Sequence, residues 1–439
     1  MRSLFRLRAE GAFDWNDTMP MVITASAVTT PVGFTADGTA AAVRAGIARI
    51  SLSEEFEDVE GNPVAESRLR WPGLDEDQAL SGDVEQDDHS DATEPSLGTW
   101  TSEAASDEEI EAEGEAMRRE EEAGEAAEHA EESSDFEPPE DAAGRIAQAA
   151  RESLGLLLES CLDLEAARRS CYLILGVAAR SRPGPRFEGQ RQEIAEELVG
   201  SLRARCGRAS LRVVAAGNAS GIVGMSQAAE ILQQDPLALC IIGGIDSLLS
   251  EETVGWLERD ERLRSETFGR AHGLAVGEGV GFLALEDRRA VPRSRRSVLA
   301  EVAGVGIAVE PAPFVSKEPC RSDGLTNACR VALSAAGCQP DQIGLVVGDL
   351  DGEFHRAREW THADVRCFTR TAPGRRLIHP AEAFGTIGAA SGPVLVAIAA
   401  SAFVRGWART DHALVFCSDD TGDCGCTVLR SAQASGERP

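Results

Sequence analysis

Apolar positions along this chain fall into short β-like runs that alternate with segments of helical period. Residues 22–25, Val-Ile-Thr-Ala, predict a first strand. Pro31 and Gly33 end it, and the Ala-rich stretch 39–47 predicts a helix. An amphipathic pattern over 145–158 predicts another helix. Strand 171–176, helix 190–205, strand 213–215 and helix 221–233 follow. Residues 238–244 are apolar without a break, as a strand buried on both faces should be. Residues 280–285 predict a further strand. Past an Arg-rich link at 288–296 the rhythm restarts: strand 298–305, helix 324–336, strand 345–347, helix 392–404 and strand 413–417. Two consecutive βα-rich runs of similar order suggest internal duplication.

Between 51 and 144 the rhythm gives way to Ser, Asp, Glu, Gly and Pro. Apolar residues there are too sparse to offset the entropy of ordering. This predicts a long acidic disordered insert, with at most a transient helix near 103–132. From Ser51 to Asp141 there are 33 Asp and Glu against four Arg, which is −29 of the chain's net charge of −30. The rest of the chain is near neutral, so the reading is a neutral globule with an acidic insert. Such a field repels nucleic acid and anionic membranes, and neither is expected as a partner. No run of 18 apolar residues predicts a transmembrane helix. Residues 1–15 lack the apolar core of a signal peptide, so 1–18 reads as a disordered leader and the location as cytoplasmic. The boundaries expected are 19–50 plus 145–287 for a first half, 51–144 for the insert, 297–431 for a second half and 432–439 for a tail.

Eleven Cys are scattered without a CxxC pair, and in a reducing compartment they act as small buried apolar residues. Cys417, Cys424 and Cys426 have no fourth ligand at a suitable spacing. Asp419, Asp420 and Asp423 lack the alternation and terminal Glu of a calcium loop and read as solvated turn residues. The stretch 217–224 lacks the Gly-Lys-Ser/Thr of a phosphate loop. No metal and no cofactor are expected.

Four places carry a more specific pattern. Residues 24–33, Thr-Ala-Ser-Ala-Val-Thr-Thr-Pro-Val-Gly, form a strand and a Thr-Pro-x-Gly turn. Residues 243–250 read Gly-Gly-Ile-Asp-Ser-Leu-Leu-Ser. Phe268 is followed at 273–281 by Gly-Leu-Ala-Val-Gly-Glu-Gly-Val-Gly. Residues 388–392 read Gly-Ala-Ala-Ser-Gly. In this order and spacing they resemble the β-ketoacyl synthases of the thiolase superfamily, over most of the chain outside the insert. The resemblance implies a five-layer αβαβα sandwich of two similar βα halves, commonly dimeric. Members condense an acyl group held on a Cys thiolate with malonyl-carrier protein, assisted by two His.

The catalytic positions depart from that pattern. The nucleophile run aligns with Ala216-Gly217-Asn218-Ala219-Ser220-Gly221, which puts Asn218 at the Cys. A carboxamide is no substitute for a thiolate activated at a helix N-terminus. Aligning the glycine of the family's His-Gly-Thr turn with Gly352 puts Asp351 at the first His, where an anion opposes an oxyanion. Gly385 takes the second His position. The C-terminal glycine-rich loop with its gating Phe is replaced by Ser418 to Gly425. The candidate cavity residues are Asn218, Ser220, Gly221, Phe268, Glu278, His355, His379 and Phe384. Glu278, between glycines, reads as a structural carboxylate bonding amides in a tight turn rather than as an acid catalyst. His355 and His379 are weighed as a relocated base pair, with uninvolved loop histidines as the simpler reading.

The expected function is a non-catalytic ketosynthase-like subunit in fatty acid or polyketide type biosynthesis. It would resemble the chain-length-factor partners of two-component ketosynthases. The alternative is an active 3-oxoacyl synthase, or another acyl-thioester acyltransferase or decarboxylase with a rearranged site. Cys240, the nearest Cys, lies mid-strand and should be inert. The resemblance implies acyl carrier protein or acyl-CoA as partners, and a ketosynthase-like homo- or heterodimer.

Overall fold

The computed structural model describes residues 21–71, 141–161, 169–184, 192–265, 272–291 and 297–432. All of these but Arg70 and Trp71 belong to one compact unit. Expectations for 1–18, the helix near 103–132 and most of the tail fall outside the described residues.

The first half contributes β1 (Met21–Thr29), β4 (Ser170–Gly176), β5 (Arg208–Val214), β6 (Leu239–Ser247) and β7 (Val276–Asp287). The second contributes β8 (Ala300–Val309), β9 (Ile343–Gly348), β10 (Arg376–Ile378), β11 (His412–Ser418) and β12 (Asp423–Ser431). The strand order is β10-β9-β11-β12-β8-β1-β7-β6-β4-β5. The two halves mirror each other about the β8–β1 contact, which is only three residue pairs long. In the first half β1–β7 and β7–β6 are antiparallel, while β6–β4 and β4–β5 are parallel. In the second, β8–β12 and β12–β11 are antiparallel, while β11–β9 and β9–β10 are parallel. The duplication that the sequence rhythm suggested is therefore present strand for strand.

Helices complete five layers. On the outer face of the first sheet lie α2 (Ala142–Cys161) and α3 (Gln192–Cys206), after a short α1 (Ala36–Ala45) near the start of the chain. Between the sheets run α4 (Ser220–Gln234) and α9 (Ser391–Val404), with α5 (Glu251–Arg259) following β6. The second sheet's outer layer is α6 (Asp323–Ala335) and α7 (Phe354–Cys367); the single turn α8 (Ala381–Phe384) precedes α9. Every residue of α9 except Val404 is buried. A helix apolar all round has no other place to go. Its close crossing with α4 needs Gly221 and Gly392, since a Cβ on Gly221 would come 2.5 Å from Pro393 Cδ.

One boundary is corrected. Residues 51–67, expected to open the disordered insert, form β2 (Ser51–Glu57) and β3 (Pro63–Ser67), and β3 pairs in parallel with β7. The mean charge of the segment concealed local structure. The Asp58 side chain accepts from Glu60 N and Asn62 N, both at 2.9 Å, and shapes the turn. Phe56 and Val64 reach a satellite core with Leu257 and Leu274.

Candidate functional site

Two short turns, one from each half, meet at the centre. Gly217–Ala219 leads into α4 and Gly388–Ala390 leads into α9. Each opens on a glycine of positive φ, 51° at Gly217 and 55° at Gly388. A side chain is excluded at both. A Cβ at Gly217 would lie 1.7 Å from Asp419 Oδ2, and one at Gly388 would lie 2.1 Å from Asp246 Oδ2. Asp246, at the end of β6, accepts the Ala389 N–H at 2.9 Å and is gripped by both Arg182 amino groups. A carboxylate from one half thus anchors the turn that starts the other half's buried helix.

Asn218, in the first turn, is 8% exposed. Its Nδ2 donates to Asp349 Oδ2 at 3.2 Å, and that oxygen also accepts the Ser418 N–H at 2.9 Å. Asp349 directly follows β9. Burial pushes its carboxyl up to about 6, against the lowering influence of Arg356 and of its two hydrogen bonds. Asn218 and Asp349 line one small cavity with Phe384, Gly385, Thr386 and Ser391. Its volume is about 10 Å³, room for a water and far too little for a thioester. The Thr386 hydroxyl is buried there with no partner among the described residues.

The cavity brings together Asn218, Gly385 and Phe384 with Asp349, which the sequence reading did not name. The carboxylate bonded to Asn218 is Asp349. Asp351 lies two residues farther on, and its Oδ1 accepts the Glu353 N–H at 3.1 Å. Strand β9 ends at Gly348, so the first residue past the strand, not the one beside Gly352, faces the centre.

The other candidates lie elsewhere. Ser220 Oγ accepts the Ala216 N–H and donates toward the carbonyls of Val177 and Val214, so it binds the strand ends together. Gly221 is a helix-crossing residue. Glu278 is structural, as expected, but it is in mid-strand and not in a turn. Its carboxylate is fully buried, accepts the Leu69 N–H and the Ser247 hydroxyl, and pairs with Arg145 at 2.7 Å. The glycines around it serve close approach rather than positive φ, since a Cβ on Gly277 would lie 2.6 Å from Phe384 O. His355 stacks on Phe314 with ring centroids 4.2 Å apart, whereas His379 pairs with Glu382 at 3.1 Å, so each has its own partners. Phe268 lies outside the described residues. Cys240 is fully buried and its thiol is pushed up to about 12, mainly by desolvation, as suits an inert group.

No protein-family model matches this chain. Two curated relatives do. The "Actinorhodin polyketide putative beta-ketoacyl synthase 2" of Streptomyces coelicolor is 33% identical over 126 residues, 26% of this chain and 30% of that protein. The "Putative polyketide beta-ketoacyl synthase 2" of Streptomyces cyaneus is 27% identical over 232 residues, 50% of this chain and 54% of that protein. The chain therefore matches about a third and about half of their lengths. The likeness in fold extends further. The ishigamide ketosynthase/chain length factor superposes with a TM-score of 0.65 at 15% identity, covering 94% of this chain and 99% of that one. A type II polyketide acyl-carrier protein in complex with its ketosynthase bound to the hexaketide gives 0.67 at 13%, covering 95% and 100%. A β-ketoacyl synthase from Burkholderia phymatum gives 0.65 at 15%, covering 94% and 100%. The chain has the fold of the ketosynthases, and parts of its sequence are similar to two polyketide β-ketoacyl synthase 2 proteins.

In this ketosynthase-like chain the segment Ser418 to Gly425 was expected to be a loop with solvated carboxylates. It instead holds the end of β11, a tight turn and the start of β12. Asp420 is in an ion network. Arg262 Nη1 reaches it at 2.6 Å and Arg356 Nη2 at 2.8 Å, while Arg262 also forms a bidentate pair with Glu353 at 2.7 Å. Against the upward push of burial, Arg356, His355 and Arg262 hold the Asp420 carboxyl well below the usual range. Sequence reasoning missed Arg262 and Arg356. Their only signal was two arginines in segments with too few apolar residues to be read as core.

Proposed function

We propose that this chain is a non-catalytic ketosynthase-like subunit of a fatty acid or polyketide assembly, of the chain-length-factor kind. One observation carries the reading: Asn218 and Gly385, aligned with the family's Cys and second His, close together with Asp349 on a cavity of about 10 Å³. None of them is a nucleophile or an oxyanion donor of the required kind. The solved relatives include a ketosynthase/chain length factor and a carrier-protein complex. They support a ketosynthase-like partner chain and an acyl carrier protein as the partner classes. Strand β5 has an open edge: among the described residues it pairs only with β4, and its Val213 is 40% exposed. Such an edge accepts a strand from a second chain. No helix among the described residues is long and apolar enough to cross a membrane.

The test is intact mass after incubation with malonyl- and acyl-carrier protein, alone and with a co-expressed ketosynthase partner. No adduct on the chain alone, and 3-oxoacyl product only with the partner, is the expected result. An acyl adduct on a mapped Cys with product from the chain alone overturns the proposal. A second reading, residual acid–base chemistry on an acyl thioester, is favoured only by the raised carboxyl of Asp349. Malonyl decarboxylation abolished by Asp349→Asn would establish it instead.

A further inference from the structure

Away from the central cavity, three metal-binding groups converge. Glu310 directly follows β8, Cys320 lies in the connection from β8 to α6, and Glu359 is on α7. One ligand atom from each lies within 4.8 Å of the others. Glu310 and Glu359 are 3% and 7% exposed, whereas Cys320 is half-buried and can be reached from solvent. A fourth donor is adjacent. Cys424 on β12 is fully buried and points its thiol at Glu359 Oε1, 3.8 Å away. Its Sγ also lies against Gly324, whose N–H donates to Glu310 Oε2 at 2.7 Å.

A second observation is independent of this convergence. Glu310 has no cationic partner among the described residues. Its Oε2 takes the Gly324 N–H, and its Oε1 takes only the Ala312 N–H, at 3.4 Å. Arg356 comes within 3.8 Å of Glu359, but it donates at 2.8 Å to Asp420. A carboxylate withdrawn from water without a counter-charge is strongly disfavoured. Ligand oxygens of the two buried carboxylates lie within 4.8 Å of each other, and a cation between them would supply the missing counter-charge.

We propose that Glu310, Cys320 and Glu359, with Cys424 as the fourth donor, form a structural site for a divalent cation of the zinc class. Thiolate and carboxylate together suit zinc better than calcium or magnesium, which favour oxygen alone. Bond lengths of about 2.0–2.3 Å set tetrahedral donors roughly 3.5 Å apart, so the spread of Glu310, Cys320 and Glu359 closes by about 1 Å of side-chain movement, and Cys424 joins them from beside Glu359. Each thiol releases one proton as the metal binds. The ion would fasten β8, the connection to α6, α7 and β12 at one point.

The experiment is cobalt substitution of the full-length chain after removal of bound metal with a chelator. One Co²⁺ per chain is expected, with a thiolate-to-cobalt charge-transfer band in the near ultraviolet and tetrahedral d–d bands, all displaced by Zn²⁺. Cys320→Ser removes the charge-transfer intensity at least by half and weakens cobalt binding tenfold or more. Cys338→Ser, whose thiol is directed at the Gln339 carbonyl, leaves both unchanged. Cys424 is fully buried and its replacement risks the fold, so Glu310→Gln, which keeps the shape, is the second variant and also weakens binding. Cobalt bound without a charge-transfer band, as exposed carboxylates would bind it, overturns the site. So does a band whose intensity is unchanged in Cys320→Ser.

Discussion

Replacing Gly385 with alanine tests whether the second histidine position has been lost as backbone and not merely as a side chain. Gly385 has φ 71° and ψ −174°, a conformation that residues with a Cβ hardly adopt, at a cost of about 1–3 kcal/mol. The new Cβ would also sit 3.0 Å from Ala275 O and 3.3 Å from Val276 O. Those oxygens cannot retreat easily. The Thr386 N–H donates to Ala275 O at 2.8 Å and the Gly277 N–H donates to Thr386 O at 3.1 Å, so the turn is bonded to β7. The expected loss is about 2–3 kcal/mol, or roughly 30- to 140-fold in the folding equilibrium. Gly200→Ala is the control. It is exposed in α3 and its Cβ would meet nothing within 4 Å, so it should gain about 0.5–1 kcal/mol. Urea unfolding followed by tryptophan fluorescence measures both. A Gly385→Ala midpoint that matches the wild type, at unchanged slope, refutes the reasoning. The functional corollary is that Asn218→Cys, Asp349→His and Gly385→His combined yield no 3-oxoacyl product, because the third change strains the backbone that must present it.

Two further outcomes follow from buried charge. Arg145→Met leaves the fully buried Glu278 without its cation and should cost about 3–5 kcal/mol; adding Glu278→Gln should recover part of this, and additive losses in urea unfolding would argue against the pair. Asp349, with its carboxyl pushed up to about 6, binds its proton more tightly in the fold than in the unfolded chain, so its contribution is most favourable when protonated. Its share of stability therefore falls by about 3 kcal/mol as pH rises from about 4 to about 6 and is flat above. Asp349→Asn keeps an acceptor for Asn218 and Ser418 and removes that slope. A stability difference between variant and wild type that stays constant from acid to neutral pH counts against this assignment.

The elements that were legible in the sequence are those where period and burial agree, such as β6 and α9. Those that were missed bury charge or hide in turn-like composition. Helix α7 puts Arg356 and Glu359 on its buried face, so its apolar stripe is broken by the residues that matter most. Strand β12 begins Asp423-Cys424-Gly425, which reads as a turn until its antiparallel partners β8 and β11 are known. At the site, Asn218 and Gly385 were found because each adjoins a glycine-marked helix start. Asp349 was not named because Gly352, the glycine matched to the family's turn, has φ 96° and lies in the turn after the strand. The apolar run ends at Gly348, and the residue after it is the one that bonds Asn218.

Asn218, Asp349 and Ser418 bond the two halves together at the centre. Asn218 belongs to the first half, and Asp349 and Ser418 to the second. The hydrogen bonds Asn218 to Asp349 and Ser418 to Asp349 converge on a single carboxylate oxygen. A thioester entering between them would have to break at least one of these bonds and leave a buried polar group unpaired, which typically costs about 1–3 kcal/mol. On the proposed reading, these positions bond the two halves to each other where a synthase would hold its substrate. Opening the cavity and keeping the halves joined are therefore opposed, which is why reinstating one catalytic side chain at a time should lower stability before it yields any product.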